Sequence, residues 1–219
     1  MSARSLALAL LVAFAAPTWC SAAPAAPAAA KRPATSAAKS DTAVFAGGCF
    51  WCLETQFETF PGVKSVVSGY TGGHKDHPTY EEVGAHTTGH YEAVRIVYDP
   101  AKVSYAQLLD RFWHGIDPTQ GDGQFCDRGE TYRSAIFWKD SSQRALALES
   151  QRALERSGAL KSPIVTAILP GRTFWLAEEY HQDFWKKDPV RYRSYRAGCG
   201  RDRRLAQLWG AKAVKPLVH

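Results

Sequence analysis

The chain has 219 residues, of which 45% are hydrophobic and 22% charged, and this ordinary globular composition excludes wholesale disorder. Five cysteines in a chain of this length exclude a small disulfide-dense domain. The formal net charge of +6 is compatible with acidic partners but specifies none.

The first 40 residues are typical of an export signal followed by a linker. An apolar run over residues 5–16 follows Arg4 and is shorter than the roughly 20 residues that span a bilayer. We predict a signal peptide over residues 1–22; a lipid anchor on Cys20 is less favoured because Trp19 precedes it. The Ala- and Pro-rich residues 23–40 are predicted to be a linker. An exported, periplasmic protein would keep its other four cysteines in an oxidising compartment.

From Asp41 onward, strand and helix patterns alternate, and two long polar loops interrupt them. The predicted strands are Thr42–Ala46, Val63–Tyr70, His90–Asp99, Ser134–Trp138 and Ile164–Leu169. Four helices are predicted. The first begins at Phe50 and ends before Pro61, and the second begins at Ser104, which forms a capping box with Gln107. The other two are Ser141–Arg156 and Ala177–Lys187. The predicted loops are Thr71–Gly89 and Asp117–Thr131, long enough to be functional. The fold class is therefore α/β or α+β, with a mixed sheet and helices packed against it.

The first helix begins with a CxxC sequence directly after two glycines. Gly47 and Gly48 permit a tight turn, which places Cys49 in the first turn of the helix. There the free backbone N–H groups stabilise negative charge by about 0.3–1 kcal/mol. The position therefore predicts a lowered thiol pKa and a nucleophilic Cys49. Trp51 lies off the apolar stripe of the helix, where it would either line a pocket or pack against a loop.

A carboxyl group lies on the apolar face of the third predicted strand. Period-2 alternation places Glu92 on the same face as Val94, Ile96 and Tyr98. Burial there would raise the pKa of Glu92, so that it could donate a proton near neutral pH. A position near the strand end, with the side chain turned to solvent, is the alternative.

Several spaced motifs together resemble the peptide methionine sulfoxide reductase A family. They occur in order as Gly48–Trp51, Gly69–Gly73, Pro78–Tyr80, Thr88–Val94 and Tyr132–Ile136. The resemblance covers about residues 44–195 and implies a two-layer sandwich with a ferredoxin-like core. It implies reduction of the S epimer of methionine sulfoxide, free or in proteins. No cofactor or metal is implied.

The resemblance also implies roles for individual residues. Cys49 would attack the sulfoxide sulfur and become a sulfenic acid, which a second thiol converts to a disulfide. The aromatic wall around the substrate methyl group would be Phe50 and Trp51. Glu92 would protonate the sulfoxide oxygen. The remaining implied site residues are Tyr80, Tyr132 and Asp127.

The second thiol remains open between three cysteines. Cys199 is favoured because it lies in the region where family members carry such a residue, in a Gly-containing segment, residues 196–219, that follows a catalytic domain of residues 41–195. Cys52, one helical turn from Cys49, is the second choice. Cys126 is the third, with a loop thiol lacking any redox role as its alternative.

The remaining expectations concern partners and the competing function. Residues 186–215 are rich in Arg and Lys, and we interpret residues 202–209 as a solvated basic tail and not as a nucleic-acid site. A thioredoxin-like dithiol is the expected reductant, and the chain is expected to be a monomer. The alternative function is a general thiol–disulfide oxidoreductase that uses Cys49 and Cys52 and leaves Glu92 without a role.

Overall fold

The computed structural model describes residues 40–215. The predicted signal peptide and most of the predicted linker lie outside this range, so both stay predictions. The strands are β1 Asp41–Gly47, β2 Val63–Thr71, β3 Tyr91–Tyr98, β4 Gly123–Gln124, β5 Asp127–Arg128, β6 Ser134–Trp138, β7 Ala167–Pro170 and β8 Trp175–Leu176. The helices are α1 Phe50–Glu58, α2 Tyr80–Gly84, α3 Tyr105–Trp113, α4 Ser141–Arg156, α5 Phe184–Lys187, α6 Pro189–Gly198 and α7 Arg201–Trp209. None of the helices described within residues 40–215 is long and apolar enough to cross a bilayer.

Six strands form one mixed sheet, which confirms the predicted fold class. Their order is β7-β6-β1-β3-β2-β8, and only β6 and β7 run parallel. Within it, the succession β1-α1-β2-β3-α3-β6 and the order β6-β1-β3-β2 form a ferredoxin-like arrangement. Strands β4 and β5 form a separate hairpin.

The hydrophobic core lies between the sheet and the helices α1 and α3. Side chains that alternate along β1 and β3 point into it, among them Phe45, Val94 and Ile96, all without exposed surface. Phe45 stacks on Phe112 of α3 with ring centroids 4.9 Å apart. Phe45 also packs on Phe57 of α1 with ring centroids 5.6 Å apart, which fixes α1 against the sheet and therefore fixes the turn that joins β1 to α1.

Local signals predicted several boundaries well. Strand β6 and helix α4 begin and end as predicted. The capping box at the start of α3 is present: the Ser104 side chain accepts a hydrogen bond from the Gln107 backbone N–H, and the Gln107 side chain accepts one from the Ser104 backbone N–H. Within the first long loop, a second capping box starts the short helix α2 at Thr79, which the sequence analysis missed.

Three predictions for the C-terminal third were wrong. Residues 177–187 are not one helix, because Asp183 adopts a left-handed conformation (φ 52°) between a 3₁₀ turn and α5. The fifth predicted strand begins later, at Ala167. Residues 202–209 belong to α7, whose Leu205 and Trp209 are buried, so they are a packed helix and not a solvated tail.

Candidate active site

The turn between β1 and α1 requires glycine at position 48. Gly48 has a φ of +80°, and a Cβ atom there would lie 2.6 Å from the Gln124 Cβ atom. No other residue combines this conformation with this space. Cys49 follows as the residue that caps α1, and its side chain makes no capping hydrogen bond. The local prediction for this turn therefore matches the structure.

Two carboxyl groups accept hydrogen bonds from backbone N–H groups at the N-terminus of α1. The Phe50 N–H donates to Glu92 Oε2 over 3.0 Å, and the Cys49 N–H donates to the Asp127 carboxylate. Glu92 reaches this position because it precedes Ala93, which pairs with Ala46 of β1. The helix N-terminus thus stabilises these carboxyl groups in addition to any charge on Cys49.

Glu92 is a buried carboxyl group that can donate a proton. Its side chain is 2% exposed, on the same face as Val94 and Ile96, so the solvent-facing alternative does not hold. Burial raises the pKa of Glu92 to about 8, and the hydrogen bond from the Phe50 N–H offsets only part of this rise. The carboxyl group is therefore largely protonated at neutral pH, as the alternating strand pattern predicts.

Two tyrosines and an aspartate surround the same pair of groups. The hydroxyls of Tyr80 and Tyr132 are hydrogen-bonded to each other, and burial raises the pKa of Tyr80 to about 12 and the pKa of Tyr132 further. Both phenols are therefore proton donors at neutral pH. Asp127 accepts a hydrogen bond from the Tyr195 hydroxyl over 2.5 Å, and burial raises the Asp127 pKa. The two long loops supply Tyr80 and Asp127, as their length suggested.

The thiols of Cys49 and Cys52 are buried and hydrogen-bonded to each other, and neither forms a disulfide. Burial raises the pKa of Cys49, and the negative charges of Cys52, Glu92 and Asp127 raise it further. The hydrogen bond from Cys49 lowers the pKa of Cys52 to about 6. The predicted low pKa of Cys49 was therefore wrong: burial beside carboxylates outweighs the small effect of the helix N-terminus.

Aromatic rings line the side of Cys49 that faces the C-terminal third of the chain. Trp51 stacks on Phe184 with centroids 3.8 Å apart and meets Tyr195 edge-on. The Trp51 Nε1–H donates to His181 Nδ1 over 3.1 Å, and the His181 ring packs between Phe50 and Tyr80. Trp51 therefore packs against a later segment of the chain, as the second alternative expects, and its role in lining a substrate pocket stays a prediction.

The structure pairs Cys126 with Cys199. These residues, 73 positions apart, form a disulfide, so neither is a free thiol here. The disulfide lies beside Asp127, whose Oδ2 is 4.0 Å from the Cys199 sulfur. Cys126, the third candidate, is therefore disulfide-bonded, and its part in the redox chemistry stays a prediction. The favoured resolving residue, Cys199, is bonded elsewhere, whereas Cys52 is the thiol that contacts Cys49.

Two clusters hold enough donor atoms for a metal ion but are already occupied. In the cluster Cys126, Asp127 and Cys199, both sulfurs belong to the disulfide. In the other, Glu54 accepts hydrogen bonds from the Ser68 hydroxyl and the Asp183 N–H. Its third member, Glu58, forms an ion pair with Lys186 and accepts from the Trp185 indole.

Three residues that complete the site from the C-terminal side were not predicted from the sequence. Tyr195 holds Asp127, and His181 holds Trp51. Glu178 accepts hydrogen bonds from the Tyr70 hydroxyl and the Tyr80 N–H, each over 2.8 Å, and so fixes the start of α2. A local signal was present in the polar run of residues 178–181 directly after a short strand, but we interpreted that run as helix.

Comparisons with known proteins agree with this geometry. The family model described as peptide methionine sulfoxide reductase matches residues 41–213. The chain is 54% identical over 176 residues to the reductase MsrA of Bacillus licheniformis, covering 80% of this chain and 97% of that protein. It is also 54% identical over 182 residues to MsrA 2 of Caulobacter vibrioides, covering 83% of this chain and 91% of that protein.

Solved structures give the same result. The reduced form of Mxr1 from Saccharomyces cerevisiae superposes with a TM-score of 0.66 at 28% identity, covering 70% of this chain and 88% of that one. The methionine sulfoxide reductase A of Corynebacterium diphtheriae superposes with a TM-score of 0.61 at 33% identity, covering 69% and 76%. The chain therefore belongs to the peptide methionine sulfoxide reductase A family.

Proposed function

We propose that this chain reduces the S epimer of methionine sulfoxide, free or within proteins, by transfer of the sulfoxide oxygen to Cys49. The observation that carries the proposal is the placement of a protonated carboxyl group, Glu92, at the same helix N-terminus as the Cys49 sulfur. A sulfoxide oxygen leaves sulfur only when it is protonated, and Glu92 is the buried acid at this position.

In the first step, the Cys49 sulfur attacks the sulfoxide sulfur while the Cys52 thiolate accepts the Cys49 proton. Glu92 transfers its proton to the sulfoxide oxygen, and the Tyr80 and Tyr132 hydroxyls stabilise the charge that develops there. The S–O bond of the substrate breaks as the oxygen moves to Cys49. The products are methionine, a Cys49 sulfenic acid, a Cys52 thiol and an ionised Glu92, so atoms and charge balance.

In the second step, Cys52 resolves the sulfenic acid. Its sulfur attacks the Cys49 sulfur, a Cys49–Cys52 disulfide forms, and the sulfenic oxygen leaves as water with the proton of Cys52. We assign this role to Cys52 because its thiol contacts Cys49, whereas the Cys199 sulfur is bonded to Cys126. A dithiol protein of the thioredoxin class then reduces the disulfide by exchange.

The setting proposed for this reaction is the periplasm, with the chain acting as a monomer. The support is the sequence of residues 1–22, which is typical of a secretory signal, and a disulfide between Cys126 and Cys199, which persists in oxidising compartments. Expression of the full chain with and without residues 1–22, followed by fractionation, tests the location. Retention of the full chain in the cytoplasm would contradict it, and light scattering tests the monomer.

One assay separates this function from a general thiol–disulfide oxidoreductase. The full chain is given each epimer of methionine sulfoxide with dithiothreitol, beside a Cys49→Ser variant. We expect methionine from the S epimer alone, and a loss of at least about a thousandfold in the variant. Methionine at equal rates from the variant, or none from the wild type, would refute the proposal. A general oxidoreductase would instead reduce protein disulfides without using Glu92, Tyr80 or Tyr132.

A further inference from the structure

A buried glutamate of α1 has no part in the proposed reaction. Glu54 is 1% exposed, although a glutamate is almost never buried to this extent unless its carboxyl group is paired or hydrogen-bonded. Its Oε1 accepts a hydrogen bond from the Asp183 N–H, and its Oε2 accepts one from the Ser68 hydroxyl, each over 2.7 Å. The carboxyl group therefore joins α1 both to β2 and to the residue that precedes α5.

The backbone that Glu54 holds has an unfavourable conformation. Asp183 has a φ of 52°, in the left-handed region that residues other than glycine rarely adopt. Such a conformation persists only where the surrounding structure holds it. The hydrogen bond from the Asp183 N–H to Glu54 is one contact that does so. It stabilises the change of direction between the 3₁₀ turn Glu179–His181 and α5.

The preceding residue, Gln182, is fixed to the same strand. Its side-chain amide accepts a hydrogen bond from the Ser68 N–H and donates one to the Ser68 carbonyl oxygen, each over 2.9 Å. The amide also donates to the Ala177 carbonyl oxygen over 2.9 Å. Gln182 thus pairs with β2 as a neighbouring strand would. Two consecutive residues are therefore anchored, one through its side chain and the other through its backbone.

The two anchored residues lie between two rings that contact Trp51. His181, directly before them, accepts a hydrogen bond from the Trp51 Nε1–H over 3.1 Å. Phe184, directly after them, stacks on the Trp51 indole with ring centroids 3.8 Å apart. The N–H edge and one face of the indole are therefore both held by neighbours of the anchored residues. Trp51 and Glu54 lie three positions apart on α1, so they are on the same side of that helix.

We propose that Glu54 and Gln182 position Trp51: they hold residues 182 and 183 against α1 and β2, and so keep His181 and Phe184 on the indole. Both act through other side chains and are positioning residues, not catalytic ones. The proposal rests on the proposed function, with Trp51, two residues from Cys49, as the apolar surface for the substrate methyl group. The methyl group makes the same contacts in substrate and transition state, so a displaced indole should weaken substrate binding and leave the chemical step nearly unchanged.

Nuclear magnetic resonance of the indole groups tests the positioning without substrate. The full chain carries tryptophan labelled at the indole nitrogen, and Trp51→Phe and Trp185→Phe assign two of the signals. Glu54→Met removes both acceptor oxygens at similar size, whereas Glu54→Gln keeps a carbonyl oxygen that can accept from the Asp183 N–H. Glu58→Gln is the matched control, because Glu58 lies one turn later on α1 and accepts a hydrogen bond from the Trp185 indole over 2.7 Å.

We expect Glu54→Met to shift the Trp51 signal and to speed the exchange of its indole proton with water at least about tenfold, because the hydrogen bond to His181 loosens. Glu54→Gln should restore at least half of this protection. Glu58→Gln should change the Trp185 signal and leave the Trp51 signal as in the wild type. Circular dichroism identifies the folded variants; if Glu54→Met does not fold, Gln182→Met takes its place with the same expected result.

Three results in these spectra would overturn the proposal. The first is an unchanged Trp51 signal in the folded methionine variant. The second is a Glu54→Gln variant that loses as much protection as Glu54→Met, because the acceptor oxygen would then not be what holds the turn. The third is an equal change of the Trp51 signal in Glu58→Gln, because any loosening of α5 would then have the same effect.

Steady-state kinetics with the S epimer and dithiothreitol test the consequence for substrate binding. The methionine variant should raise KM about tenfold and change kcat by less than about twofold, and Glu54→Gln should return KM toward the wild-type value. An unchanged KM, with or without a lower kcat, would overturn the proposal, because a merely structural loss of active enzyme leaves KM unchanged. A wild-type chain without activity would contradict the proposed function instead, and the indole spectra would still decide whether Glu54 and Gln182 position Trp51.

Discussion

The protein has two pairs of cysteines in different surroundings. Cys49 and Cys52 lie three positions apart at the start of α1 and are buried free thiols. Cys126 and Cys199 lie 73 positions apart and are joined by a disulfide. The first pair lies among groups that hold or donate protons. The second joins the β5 hairpin to the end of α6, and Cys126 is exposed there. Asp127 lies between them, because it accepts from the Cys49 N–H and is next to Cys126.

The surroundings of a cysteine, and not its presence alone, therefore determine its thiol chemistry. The buried pair shares a hydrogen bond that lowers the pKa of Cys52 to about 6, whereas burial raises the pKa of Cys49. The disulfide-bonded pair is next to Asp127 and Tyr195 at the edge of the site. We therefore expect chemical effects from changes at the first pair and mainly structural effects from changes at the second.

The largest effect is expected from the acid beside the buried pair. Glu92→Gln removes the proton donor and should lower kcat by about a thousandfold, while circular dichroism shows an unchanged fold. The Glu92 pKa is raised to about 8, so the carboxyl group is protonated below that pH and ionised above it. Wild-type turnover should therefore fall as the pH rises through about 8. Wild-type activity in the glutamine variant would show that another group supplies the proton.

The next effect separates the two candidates for resolution. Cys52→Ser removes both the base and the resolving thiol, and it should lower turnover by about a hundredfold. The Cys49 sulfenic acid should then persist, and dimedone labelling followed by mass spectrometry would detect it. The control is Cys199→Ser with Cys126→Ser, in which the sulfenic acid should be resolved as in the wild type. The reverse pattern would restore Cys199 as the resolving residue.

The same double variant should affect stability more than turnover. Loss of a disulfide that closes a loop of this length should lower the free energy of unfolding by about 2–4 kcal/mol. Urea denaturation of Cys126→Ser with Cys199→Ser, against the oxidised wild type, measures this. If turnover with dithiothreitol falls sharply while the unfolding midpoint stays unchanged, the exposed pair takes part in the chemistry and the contrast drawn above fails.

The smallest effect concerns the contact that links the two pairs. Tyr195→Phe removes the hydrogen bond to Asp127 and should lower the free energy of unfolding by about 1 kcal/mol near neutral pH. The contribution depends on an ionised Asp127 and should disappear as the pH falls through its raised pKa. Urea midpoints at neutral and acidic pH test this. An equal loss at both pH values would assign the effect to packing against Trp51 instead.

Short-range patterns predicted the central elements of the site. The two glycines before Cys49 specify the turn because only glycine fits at position 48, and alternation along β3 places Glu92 among apolar side chains. Both inferences depend on residues close in sequence. The pKa of Cys49 could not be predicted in this way, because Asp127 and Glu92 reach the same helix N-terminus from distant parts of the chain.

The amino-acid sequence by itself determined the turn, the thiol pair, the buried acid and the family. Only the folded chain fixes which cysteines are bonded, which carboxyl groups meet at the start of α1, and that the basic C-terminal residues pack as helices. The two sets of features differ because the interactions that determine them act over different distances along the chain. Turn geometry and strand alternation act over a few residues, whereas burial and electrostatic fields add contributions from every element that surrounds a group.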